Sequence, residues 1–158
     1  METSLDAFLE IEHIRQLKYR YFRALDRHDW ALFGTCLTED CATRLDSGKY
    51  SFNSRAEFVA GLKALMDKPT LLTMHHGHHP EIELVSPDKA KGTWYLEDYV
   101  INLEQNWILQ GTAFYQDEYV KRDGHWKIHS TGYDRVFEVV TSPIPEQFRV
   151  TANMFEKR

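Results

Sequence analysis

The apolar residues of this chain change their period once, and that change governs what it can fold into. Over residues 4 to 28, Leu5, Phe8, Ile11, Ile14, Leu17, Tyr21, Phe22 and Leu25 recur at three- and four-residue steps, one stripe of a long amphipathic helix. Ser4 or Thr3 is placed to cap its start. From residue 71 that spacing is gone. Strand-like runs at 71 to 78, 81 to 85, 90 to 103, 110 to 122 and 125 to 137 are divided by Pro80, Ser86-Pro87-Asp88, the polar patch from Glu104 to Asn106, and Arg122-Asp123-Gly124. Asp-Gly between two apolar runs is a strong hairpin signal.

The segment between these halves reads as a short second helix from Trp30 to Cys36, capped by Asp29, and a break at Thr38-Glu39-Asp40. Short strands are expected over residues 41 to 52, around a turn at Ser47-Gly48. Ser54-Arg55-Ala56-Glu57 fits a capping box, so a third helix is expected from 55 to about 67, with Pro69 just beyond it. Helices first and a strand meander later indicate an α+β domain, with helices on one face of an antiparallel sheet. Residues 1–140 read as that domain. Residues 141–158, with Pro143 and Pro145, read as an irregular extension over a pocket mouth or a neighbouring subunit.

A chain of 158 residues suits one domain with a sizeable core. The net charge is −5 and no run of Lys or Arg exceeds two residues, so the basic footprint of a nucleic-acid binder is missing. The apolar runs fall far short of a membrane span. The start, Met1-Glu2-Thr3-Ser4-Leu5-Asp6, lacks the basic and apolar regions of a signal peptide, which makes Cys36 and Cys41 reduced thiols of an expected cytoplasmic protein. Aromatic residues reach 13%, which suits a cavity for a small hydrophobic molecule, and equally an aromatic-rich sheet without one.

Several phrases narrow the fold. Tyr21-Phe22-Arg23-Ala24-Leu25-Asp26-Arg27-His28-Asp29-Trp30 resembles the first-helix signature of SnoaL-like proteins of the NTF2-like superfamily. Met74-His75-His76-Gly77-His78-His79-Pro80-Glu81-Ile82 is similar to their His-bearing strand, and Trp94-Tyr95-Leu96-Glu97-Asp98-Tyr99 to the next one. Tyr115-Gln116-Asp117-Glu118-Tyr119 with Gly124-His125-Trp126-Lys127-Ile128 resembles the closing hairpin. The resemblance implies a curved antiparallel sheet with helices on its concave face, enclosing a cone-shaped pocket. Among relatives of the bile-acid 7α-dehydratase and scytalone dehydratase kind it implies Tyr21, Asp26, His75 and Asp98 as catalytic, with a late Arg at Arg135. A homodimer or homotrimer follows by the same resemblance.

The residues carry their own chemistry beside it. Tyr21 belongs to the buried stripe and, read alone, is a core tyrosine; Asp26 lies about 140° further round the helix, facing a cavity or solvent. Strand alternation puts Asp98 on one face with Trp94, Leu96 and Val100, where a carboxylate needs a partner. His75 on a neighbouring strand is the expected partner, and an Asp-oriented His is a sensible general base. Arg135 is expected to hold a substrate carboxylate or steady an enolate. Alternation sets it opposite Trp126 and Ile128, however, so it faces the pocket only if a bulge, for instance at Gly132, shifts the register. His78, Trp94 and Tyr115 are further expected substrate contacts.

His76 and His78 share a strand face, which invites a metal reading. A site needs a third or fourth ligand, and no Cys or second His cluster has ligand spacing, so no metal is expected. Nor is a cofactor, since no phosphate loop or dinucleotide fingerprint exists. The resulting expectation is a cofactor-independent lyase, a dehydratase, acting on a small hydrophobic cyclic or aromatic hydroxy compound. A double-bond isomerase on a similar substrate is the nearest alternative. A non-catalytic ligand binder, or an accessory protein like a dioxygenase small subunit, is the alternative from another class.

Overall fold

The computed structural model of the protein describes residues 4–156. The expected helical stripe is α1 (Leu5–Asp26), whose cap is Ser4, its side chain accepting from the Ala7 N–H at 3.2 Å. Thr3 lies outside the described residues. Asp29 caps α2 (Trp30–Thr35) in the same way, through the Leu32 N–H at 3.0 Å. Strand β1 (Leu37–Leu45) starts earlier than expected and runs straight through Thr38-Glu39-Asp40. A turn at Asp46–Gly48 leads into β2 (Tyr50–Phe52), and Ser54 caps α3 (Arg55–Met66) through the Glu57 N–H.

Four long strands follow: β3 (Leu71–Ser86), β4 (Lys89–Asn102), β5 (Trp107–Arg122) and β6 (His125–Thr141). Their sheet order is β2-β1-β6-β5-β4-β3. The sheet is curved, and it is mixed because β1 pairs with β6 in parallel while every other pairing is antiparallel. The long excursion through β2, α3 and the meander is what brings β6 back beside β1 in that sense. The helices cover the concave face, and the core lies between them and the sheet.

Bulges decide which residues face that core. Pro80 does not end a strand as expected. It sits in a bulge with His79 (φ 47°), and β3 tolerates it because β3 is a sheet edge. On β6, Ile128 pairs with Tyr119 and Ser130 with Glu118, which leaves His129 extra. That single residue swaps the faces of the residues from Ser130 to Arg135, so Thr131, Tyr133 and Arg135 turn inward after Trp126 and Ile128 have done so. A second extra residue is Val136.

The central fastening is a buried ion pair. Lys18 Nζ lies 2.7 Å from Asp117 Oδ2, and both side chains are 0% exposed. Asp117 also accepts from Tyr119 Oη at 2.7 Å and from Thr131 Oγ1 at 2.6 Å, and Tyr119 Oη accepts from Trp94 Nε1 at 2.8 Å. The ammonium meets the carboxylate by charge and contact, outside hydrogen-bond alignment, and sits 3.8 Å from the Tyr115 ring centre and 4.5 Å from that of Tyr21. Burial pulls the lysine below its ordinary pKa and Asp117 opposes that.

Beyond Thr141 the described chain forms neither helix nor strand. Its Phe155 ring returns to stack on His28 at 4.2 Å, and Asn153 Nδ2 donates to Pro69 O at 2.8 Å. Cys36 and Cys41 are buried and free. No described helix is long and apolar enough to cross a membrane.

Lys18→Met leaves the Asp117 carboxylate buried without its counter-charge, so folding stability falls by about 3–5 kcal/mol. Urea denaturation checks this; a loss below about 1 kcal/mol would mean the pair does not hold α1 to the sheet.

Candidate active site

Asp26 closes the last turn of α1 over the edge of β3. Its Oδ1 lies 2.6 Å from His75 Nδ1 and accepts from Thr73 Oγ1 at 2.8 Å, while its Oδ2 accepts from the His75 N–H at 2.9 Å. A carboxylate has no proton to give, so Nδ1 of His75 carries the hydrogen, and in the neutral ring Nε2 is the nitrogen with the lone pair. The pair is only partly exposed, 13% for the His75 side chain and 23% for Asp26. The helix can come this close because residue 77 is glycine. A Cβ there would lie 2.4 Å from the Phe22 ring and 3.1 Å from that of Trp94.

A second polar pair sits across the sheet. Arg135 Nη1 and Nη2 donate to Asp98 Oδ1 and Oδ2 at 2.6 and 2.8 Å, a two-pronged bond to a carboxylate only 4% exposed. Asp46 and Glu138 approach Arg135 Nε at 3.5 and 3.3 Å. Burial opposes the guanidinium charge, but the bonds to Asp98 together with the surrounding acidic groups outweigh it and push its pKa up, so it stays cationic. Gly111 makes room for this pair, since a Cβ there would lie 2.4 Å from Nη1.

His75 of the first pair and both members of the second line one cavity of about 370 Å³, together with the phenols of Tyr21, Tyr115 and Tyr133. Leu25, Leu62, Leu71, Leu109 and Trp107 make up its apolar wall. Burial, and after it the charge of Asp117, drives the Tyr21 hydroxyl well above its ordinary pKa. Burial raises Tyr133 as well, against the pull of Arg135. These phenols stay protonated near neutrality and act as hydrogen-bond donors rather than acids.

The placement corrects several expectations. His75 and Asp98 are direct cross-strand partners, yet His75 is held by Asp26, and Asp98 by Arg135. The helix end offers a carboxylate to Nδ1 and the bulged β6 offers Asp98 a stronger, two-pronged donor. The Arg135 fork is therefore occupied by Asp98 and is not open to a substrate carboxylate. Its inward turn does come from a bulge, but at His129 rather than Gly132. His78 faces the opposite side of the sheet, 3.3 Å from Glu97. Trp94 is fully buried under α1 and bonded to Tyr119, outside the cavity lining. Tyr21 and Tyr115 do line it. Lys18, Thr73 and Tyr133 were not anticipated. Lys18 is visible in the helix stripe three residues before Tyr21, and Thr73 shares the inner face of β3 with His75 by simple alternation.

A family profile for the SnoaL-like domain matches residues 6–132. A protein described as a candidate scytalone dehydratase from Novosphingobium aromaticivorans superposes with a TM-score of 0.77 at 18% identity, over 90% of this chain and 97% of that one. A type 2 hexachlorocyclohexane dehydrochlorinase gives 0.78 at 22% identity, over 91% and 99%. The type 3 enzyme of Novosphingobium barchaimii gives 0.74 at 20%, over 89% and 95%. At these identities the likeness is one of fold.

Arg135→Leu strands the Asp98 carboxylate without a donor and lowers stability by about 3–5 kcal/mol. Asp98→Asn keeps an acceptor for Arg135 and costs less. Equilibrium denaturation ranks the two, and the reverse order contradicts the pairing described above.

Proposed function

The chain belongs to the SnoaL-like domain family, and from that premise we propose that it is a cofactor-independent lyase, a dehydratase, acting on a small hydrophobic cyclic or aromatic hydroxy compound. The observation that carries this reading is the 2.6 Å contact between Asp26 and His75 Nδ1, with the His75 ring on a cavity large enough for a ligand. Asp26 holds the ring in the tautomer that presents Nε2 as a base, and its charge stabilises the imidazolium formed. The substrate C–H adjacent to a carbonyl or phenol gives its proton to Nε2. Its electron pair forms the new double bond, and the C–O bond to the leaving hydroxyl breaks. The imidazolium returns the proton to that oxygen, releasing water.

Tyr133 and Tyr21 fit the role of hydrogen-bond donors to the oxygen on which negative charge develops. With its hydroxyl well above the ordinary pKa, Tyr21 suits polarising that oxygen rather than protonating the leaving group. The Asp98–Arg135 pair lines the cavity with its two charges balanced against one another. The apolar wall favours a hydrophobic ring system, and about 370 Å³ is at the small end of the range for enclosed ligands, about 300–1,000 Å³.

Turnover of a panel of cyclic hydroxy ketones and hydroxylated aromatics, followed by the absorbance of the new conjugated bond, tests this. His75→Asn should fold normally and lose about 10²–10⁴-fold in rate. Turnover retained by a folded His75→Asn protein would remove His75 from the role of base. Products that move a double bond without losing water would make the protein an isomerase.

A further inference from the structure

Strand β3 carries histidines on both of its faces, and those not facing the cavity meet a third donor. His76 and His78, two residues apart on an edge strand, point to the outer side of the sheet. Strand register puts Glu97 of β4 directly across from His76. One ligand atom from each of His76, His78 and Glu97 lies within 4.8 Å of the other two, and His78 Nε2 is 3.3 Å from Glu97 Oε2. We propose that these three residues form a binding site for a divalent transition-metal ion of the zinc type.

The geometry suits the ion. Tetrahedral bonds of about 2.0–2.1 Å place neighbouring donor atoms about 3.3 Å apart. His78 and Glu97 already have that spacing. His76, whose ring is 5.6 Å from that of His78 and turned by 79°, already has its ligand atom within 4.8 Å of the other two. Two imidazoles and a carboxylate are borderline donors that favour zinc, copper or nickel over calcium or magnesium. They also leave a fourth position for water or an outside donor. His79, turned by the bulge, holds its ring 5.9 Å from that of His78 beside the site. The sequence hid the site because its third ligand lies on another strand, brought in by register rather than spacing.

The site is distinct from the cavity. His75 immediately precedes the first of these ligands in sequence but points through the other face, where it is held by Asp26. Metal binding therefore does not depend on the reaction proposed for His75.

Calorimetric titration of the tag-free, chelator-treated full chain with ZnCl₂ tests the proposal, with Co²⁺ as a spectroscopic probe of coordination. We expect one saturable zinc per chain and cobalt bands of an imidazole-containing site. His76→Ala/His78→Ala should abolish saturable binding, and Glu97→Gln should weaken it by at least about tenfold. His13→Ala, an exposed histidine on α1, should leave the titration unchanged. Circular dichroism confirms folding of each variant. No saturable binding to the unaltered chain, binding that survives the double substitution, or equal weakening by His13→Ala would overturn the assignment.

Discussion

The Lys18–Asp117 ion pair is the fastening on which the rest of the arrangement depends. A lysine in the middle of an amphipathic helix ordinarily reaches for water. Here it is wholly enclosed, with one carboxylate and three aromatic faces for company. Neither charge is tolerable there alone, so α1 can rest on the sheet in only one register, the one that joins them. That register sets Tyr21 one turn further on against Tyr115, and Asp26 two turns further on above the end of β3. The hydroxyls of Tyr119 and Thr131 tie the same carboxylate to β5 and β6, so helix and sheet share one electrostatic centre.

From that centre outward the polar groups come in pairs, each with a separate task. Asp26 determines the state of His75, since three donors converge on its two oxygens and leave it no freedom to turn away. Asp98 and Arg135 neutralise one another where the cavity would otherwise hold a bare carboxylate. The phenols between them, kept neutral by burial, give the cavity donors without adding charge. Neutral phenols beside a mutually neutralised ion pair suit a ligand that gains negative charge only during reaction.

The period of the hydrophobic pattern made the helices, their caps and the hairpin legible, because those depend on near neighbours in the chain. Asp29, Ser54 and the Asp-Gly turn each act within four residues. What escaped was whatever depends on register between distant segments. His75 and Asp98 do face each other across β3 and β4, but a helix end 49 residues before His75 outcompetes Asp98 for the ring. Arg135 was readable as a candidate, and its direction hinged on a bulge whose place nothing local to Gly132 marks. Likewise, His76 and His78 were visible as a pair, whereas Glu97 joins them only through pairing of the strands.

The extra residue at His129 has a consequence for how such a pocket can be remade. Thr131, Tyr133 and Arg135 look inward, and Ser130, Gly132 and Asp134 look outward, solely because one position upstream goes unmatched. If the bulge were lost with the chain length unchanged, His129 would pair with Glu118 and the residues after it would slip by one. The two sets would then exchange, lining the cavity with a serine, a glycine and an acid; deleting His129 itself would leave the present partners and faces in place. A one-residue slip of pairing at this point thus rewrites the chemistry of an entire wall in a single event. Point substitutions would need at least three. Lineages built on this sheet have in the bulge a coarse dial for specificity, alongside the fine one of individual side chains.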